Sequence, residues 1–307
     1  VLAKNSHLFA LRAAYRFLPI TAPSQSYDDP TTGEDPQYGA SINYFLNAPA
    51  RSAPRVTIRD ATGRVVRALS APNARGINRL HWDLTDEPGI PTRLLTSPLY
   101  AEHIRVGPEG RDAPGTSRIS LLVAPGRYSV TLTVDGVEHT QPLEVRKDPN
   151  SDGSEADIAA QLRLLAAIRT DMDSAAVAVS RVESVRVQLA ALRRVSRDAD
   201  VTRAIDALEQ RLVEVEMALV DLRQTGQGQD GVRFEAKLIG KLGYLTGALA
   251  SSDFRPTDQQ VEVQGKLNTE LKERLAAIDA VLANDLAALN SLVRARNIPW
   301  VRGAIVP

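Results

Sequence analysis

Asp148, Asn150, Asp152 and Gly153 occupy positions one, three, five and six of a spacing in which alternate oxygen ligands wrap a calcium ion and glycine permits the sharp turn. Position twelve, where such a loop needs a bidentate Glu, is Ala159, so the other reading of Asp148 to Gly153 is a linker running into a helix cap. The acidic pairs Asp28 with Asp29 and Glu34 with Asp35 are of the type that supplies a general acid and base to glycoside chemistry, but they lie in a proline-containing connector. His7, His81, His103 and His139 are scattered, with no i, i+4 metal spacing. No Gly-x-Ser-x-Gly elbow and no phosphate loop occurs. Tyr27, Tyr38, Tyr44, Trp82, Tyr100 and Tyr128 could include a sugar-stacking platform, although Trp82 alternates with Leu80 and Leu84 as a core residue does. Gly240, Gly243 and Gly247 fall inside a helical pattern, each costing about 1 kcal/mol against Ala, and imply close packing on neighbouring helices.

The 307 residues carry 37 basic and 37 acidic side chains, which removes the electrostatic basis for a nucleic-acid or anionic-membrane partner. Zero Cys excludes a thiol nucleophile, a disulfide scaffold and a cysteine-ligated zinc. No uncharged apolar run approaches the ~18 residues of a membrane span, so the chain reads as soluble. Fifteen of the eighteen prolines precede residue 150, leaving the second half free to be helical. The boundary therefore falls at Asp148 to Gly153.

The first half reads as short strands. Ser41 to Leu46 is one; Arg55 to Asp60 and Arg64 to Leu69 flank a turn at Ala61 to Gly63; Ile77 to Leu84 is another. Tyr128 to Val134 and Val137 to Val145 meet at Asp135-Gly136, a pair suited to a two-residue hairpin turn. Thr85 to Ser117 reads as an excursion. In the second half, apolar residues recur every three or four positions from Ile158 to Leu192, from Ile205 to Leu222, from Phe234 to Leu249 and from Leu267 to Val293. These patterns predict two domains of the α+β class, an Ig/FnIII-like antiparallel β-sandwich followed by an all-α up-down four-helix bundle. The expected limits are a leading segment at 1–37, the sandwich at 38–148, a linker at 149–153, the bundle at 154–298 and a tail at 299–307.

Tyr38 to Tyr44 (YGASINY), the hairpin from Val56 to Leu69, Gly76 to Leu84 (GINRLHWDL), Pro125 to Gly136 (PGRYSVTLTVDG) and Thr140 to Val145 (TQPLEV) resemble the C-terminal region of bacterial sortilin-like, BNR-repeat β-propeller proteins. Gln229 to Gly231, Lys237-Leu238, Ser251 to Gln260 and the opening His7 to Phe17 are similar to the same region. The resemblance covers nearly the whole chain. It implies an Ig-like domain followed by helices, export to the periplasm, cell surface or medium, and an upstream propeller as partner. The family is commonly regarded as glycosyl hydrolases, yet no Asp-box is present here, so the resemblance transfers no catalytic residue. The expectation is a non-catalytic accessory module that docks or assembles. Its alternatives are a carbohydrate-binding module, a self-assembling scaffold in which the long first helix pairs with another copy and, last, a hydrolase in its own right. No cofactor is expected beyond calcium at Asp148, Asn150 and Asp152.

Overall fold

The computed structural model describes residues 5–18, 37–115, 118–226, 228–298 and 301–303. Its contacts divide the chain into two units, each discontinuous in sequence: residues 1–88, 120–163 and 251–255 in the first, and 89–119, 164–250 and 256–307 in the second. The single boundary expected near 148–153 is thus not where contacts divide the chain, and the excursion from 85 to 117 falls mostly in the second unit.

The first unit is built on strands β1 (Ser6–Leu8), β2 (Ala14–Arg16), β3 (Ala40–Leu46), β4 (Arg55–Asp60), β5 (Val65–Ser70) and β6 (Gly76–Trp82). The second unit contributes the two-residue β7 (Arg93–Leu94) and β8 (Arg111–Asp112), and β9 (Gly126–Val134) and β10 (Val137–Lys147) return to the first. Strand alternation sends Ile42, Tyr44 and Leu46 of β3, Val56 and Ile58 of β4, Trp82 of β6, and Val130 and Leu132 of β9 into one core, where all eight are fully buried. Burying each such side chain contributes about 1.5–3 kcal/mol. The β9–β10 turn needs left-handed backbone, and Asp135 and Gly136 supply it at φ +46° and +85°. Strand β6 stops at Trp82 rather than Leu84 because Leu84 itself turns left-handed, at φ +59°.

The strands form a three-stranded antiparallel sheet, β1-β3-β6, and a five-stranded sheet, β2-β10-β9-β4-β5, in which β2 runs parallel to β10. An Ig-like antiparallel sandwich followed by an all-α four-helix bundle is therefore not the fold. The five-stranded sheet is mixed, and its parallel edge strand comes from the segment expected to be only a leader. Alternation reports which residues face the core but not the direction of pairing, and three-residue strands such as β1 and β2 are too short to show it.

Helix α1 (Glu155–Val195) opens on a reciprocal cap: Ser154 Oγ accepts the Asp157 N–H at 3.1 Å, and Asp157 Oδ2 accepts the Ser154 N–H at 3.2 Å. It is followed by α2 (Ala199–Met217), α3 (Asp230–Arg233), α4 (Leu238–Ala250), α5 (Asp258–Ala280), a π-turn at Val281–Asp285 and α6 (Leu286–Ala295). Thr257 and Gln260 form the capping box of α5. This half is not purely helical, because β7, β8 and the loop backbone of 89–119 belong to the same unit. The apolar stripe of α1 also widens at Ala175, Ala176, Ala178 and Val179, all buried, so the helix is covered on more than the one face a simple bundle uses. Helical period fixes each element; it does not say what non-helical chain packs among them. The run Asp258–Ala295 is long enough, and over one 18-residue window apolar enough, to cross a membrane by length and composition; Asp279 and Asp285 stand in that window, and Glu262, Lys266, Glu270, Lys272, Glu273 and Arg274 precede it.

Candidate functional site

In the loop expected to hold calcium, one of the three carboxylate or amide ligands, Asp148, bonds within the loop. Asp148 Oδ1 accepts the Asn150 N–H at 2.8 Å, the Asp148 carbonyl accepts from Ser151 N–H at 3.2 Å, and the Lys147 ammonium donates to the Ser151 carbonyl. Asn150 and Asp152 are exposed. Among the described residues no group of three or more His, Asp or Glu side chains is gathered as metal ligands. Gly153 has a different cause: a Cβ there would lie 2.2 Å from the Asp253 carbonyl oxygen. The chain from 251 to 255 presses onto the turn, and only glycine leaves room.

That approach belongs to a knot of three segments. The Arg16 guanidinium, 2% exposed, donates to the Asp253 carboxylate, 4% exposed. Asp148 N–H reaches the Arg16 carbonyl at 3.1 Å, Gln161 donates to the Ser252 carbonyl, and Arg255 pairs with Asp157 at 3.1 Å. Buried charge is retained here because each partner neutralises the other.

A larger buried polar cluster lies in the second unit. Glu183 on α1 is fully buried and accepts the backbone N–H groups of Leu95 and Thr96, the latter at 2.7 Å, and the Thr96 hydroxyl at 2.8 Å. Arg186, one turn on and 4% exposed, donates to Glu183 at 2.6 Å, to Glu216 at 3.0 Å, to Glu209 at 2.9 Å and to the Thr96 hydroxyl at 3.0 Å. Arg111 of β8 holds the carbonyls of Thr96, Gln224 and Leu222. Three carboxyl groups thus share one internal guanidinium. Burial first, and then the charge of Glu183, push the fully buried Glu216 well above the usual carboxylate range, against the pull of Arg186. Burial alone would lower Arg186, but Glu216, Glu183 and Glu209 outweigh it and hold it raised. A cleft of about 450 Å³ opens onto the cluster: Thr96, Arg186 and Glu209 line it, with Leu189, Ile205, the Arg193–Asp206 pair at 2.8 Å and Tyr100, 92% exposed at φ +66°.

The cluster is not visible in the apolar period from Ile205 to Leu222, because that period runs through Val215, which is half-buried in the fold. Glu216 takes the core position instead, at steps of four from Leu212 and three from Leu219. A carboxylate on an apolar register was the available signal. The candidates named from sequence scatter. Tyr44, Trp82 and Tyr128 are buried in the core, with the phenols of Tyr44 and Tyr128 pushed up to about 12 chiefly by burial. Tyr38 is half-buried. His139 bonds Ser6 at 2.8 Å. Asp28, Asp29, Glu34, Asp35 and Tyr27 lie outside the described residues. In α4, close packing does not account for Gly247, whose Cβ would meet nothing within 4 Å, nor for Gly240, whose Cβ would meet only Ala236 of the same helical run, at 3.1 Å. No family model matches the chain, and no curated protein is similar to it in sequence.

Chemically, the buried cluster is a clasp. Glu183 spends both oxygens on Leu95, Thr96 and Arg186, and the Thr96 hydroxyl donates to Glu183 while accepting from Arg186.

Proposed function

We propose that this chain is a non-catalytic accessory module of an exported β-propeller protein of the sortilin-like kind, serving docking or assembly. The observation that carries the reading is how the buried charges are used: Glu183, Arg186, Arg16 and Asp253 each hold another segment of the same chain, Arg186 doing so while it also lines a cleft. The sequence resemblance supplies the parent; the fold it implied is not the one found, so the resemblance bears on context alone. Mass spectrometry of the protein from its source tests the context: peptides running upstream of Val1 into propeller repeats are expected, and an upstream sequence of another kind overturns it. Assay of the purified chain against arylglycosides tests the rest. No turnover is expected, and turnover abolished by a carboxylate substitution would make it an enzyme.

A further inference from the structure

Among the described residues strand β6 is hydrogen-bonded to β3 alone, and none bonds the backbone of 77–81 on the other side. An open strand edge presents a row of unpaired donors and acceptors and is a template for another strand. On this edge Asn78 and Trp82 turn into the core, while Ile77, 74% exposed, Arg79 and His81 share the outer face.

The cross-strand register places His7 beside Phe45, Phe45 beside Ile77, Asn43 beside Arg79 and Ser41 beside His81, so this face of the three strands holds no carboxylate. Arg79 Nε donates to the neutral Asn43 Oδ1 at 2.8 Å, and among the described residues no carboxylate pairs with it. Arg75, just before the strand, is exposed too. Asp83, just after it, turns its carboxylate back to the Thr85 N–H at 3.1 Å and hydroxyl at 2.7 Å.

The chain covers a comparable edge itself. Along β5, the Glu87 N–H bonds the Val66 carbonyl at 2.9 Å, the Glu87 carboxylate accepts from Ala68 N–H at 3.4 Å, and Arg67 holds the Asp86 carbonyl at 2.6 Å. An extended acidic segment there meets an arginine-bearing edge. Strand β6 presents the same chemistry, and no described residue covers it in that way.

We infer that the β6 edge accepts an extended segment of a partner protein, one that places a carboxylate opposite Arg79 and apolar residues to either side. The inference rests on the docking reading and names its surface. A second copy of this chain fits poorly: antiparallel pairing about the strand centre sets Arg79 against Arg79, and like charges directly opposite are destabilising.

Fluorescence anisotropy tests this with two labelled nonapeptides of alternating valine and threonine, one with a central glutamate and one with a central lysine, titrated with the full chain. The glutamate peptide is expected to bind about fivefold or more tightly, the size of one cross-strand charge pair changed from attractive to repulsive. Arg79→Glu, a surface change whose melting curve checks the fold, is expected to invert the order. Absence of binding by both peptides, or binding indifferent to Arg79→Glu, overturns the proposal. So does a dimer in sedimentation that Arg79→Glu alters, which would give the edge to a second copy. A failed titration beside a propeller parent sinks the edge alone, whereas a bound peptide beside a parent of another kind sinks the module alone.

Discussion

Glu216 stands where the period of α2 would place a leucine, and its neighbours decide its protonation. An unfolded Glu titrates near about 4.3, and burial beside Glu183 raises that value in the fold. The folded state therefore binds this proton more tightly. Its contribution to stability is complete below the unfolded value, declines as pH rises, and is gone above the folded value, at about 1.4 kcal/mol per unit of separation. Glu216→Gln, which keeps a donor toward Glu183 and an acceptor for Arg186, is expected to flatten that decline. The urea midpoint of the variant should exceed that of the parent chain increasingly as pH rises above the unfolded value; parallel curves would show that folding does not raise it. Arg16 makes the opposite case, a charge that must remain paired. Arg16→Met leaves Asp253 buried and alone and is expected to cost about 3–5 kcal/mol in chemical unfolding. Arg16→Met combined with Asp253→Leu should recover most of it, since a buried pair replaced as a whole is often neutral.

The same residue type has opposite roles in different elements. Gly153 admits the Asp253 carbonyl, and Gly153→Ala forces the two segments apart; a loss of about 1–3 kcal/mol, the cost of overpacking, is expected from thermal melts. Gly247 meets open space in the middle of α4, so Gly247→Ala should stabilise by about 1 kcal/mol, raising the melting temperature by roughly 2–4 °C. An unchanged or lowered melting temperature would mean that this helix surface is occupied by something an extra methyl disturbs. These two glycines also mark what sequence can convey. Asp135-Gly136 announces its own turn, Val56 and Ile58 their face, and Ile158 to Leu192 a helix, because each signal is local and periodic. The packing of Gly153 depends on a residue one hundred positions away, and the pairing of β2 with β10 on a strand of three residues. Neither leaves a periodic trace. The buried clasp was half legible: Glu183 and Glu216 fall on apolar registers, but nothing local reveals that Leu95 and Thr96 would meet Glu183.

Across the molecule, each unit needs segments far apart in the chain. Expression of residues 1–163 alone removes 251–255, and with it the partner of Arg16 and the carbonyl that Gln161 holds. That fragment is expected to lose its cooperative thermal transition by circular dichroism; a sharp melt close to that of the full chain would show that the knot around Asp253 is dispensable. The interleaving also bears on descent. Wherever the gene is broken once, at least one unit is left with residues on both sides of the break, since the first unit reaches from the N-terminal segment to 255 and the second from 89 to the end. Such a chain can be copied, fused or transplanted only as a whole cassette. Its relatives should then be sought as chains that carry both units together, never as a sheet in one gene and helices in another.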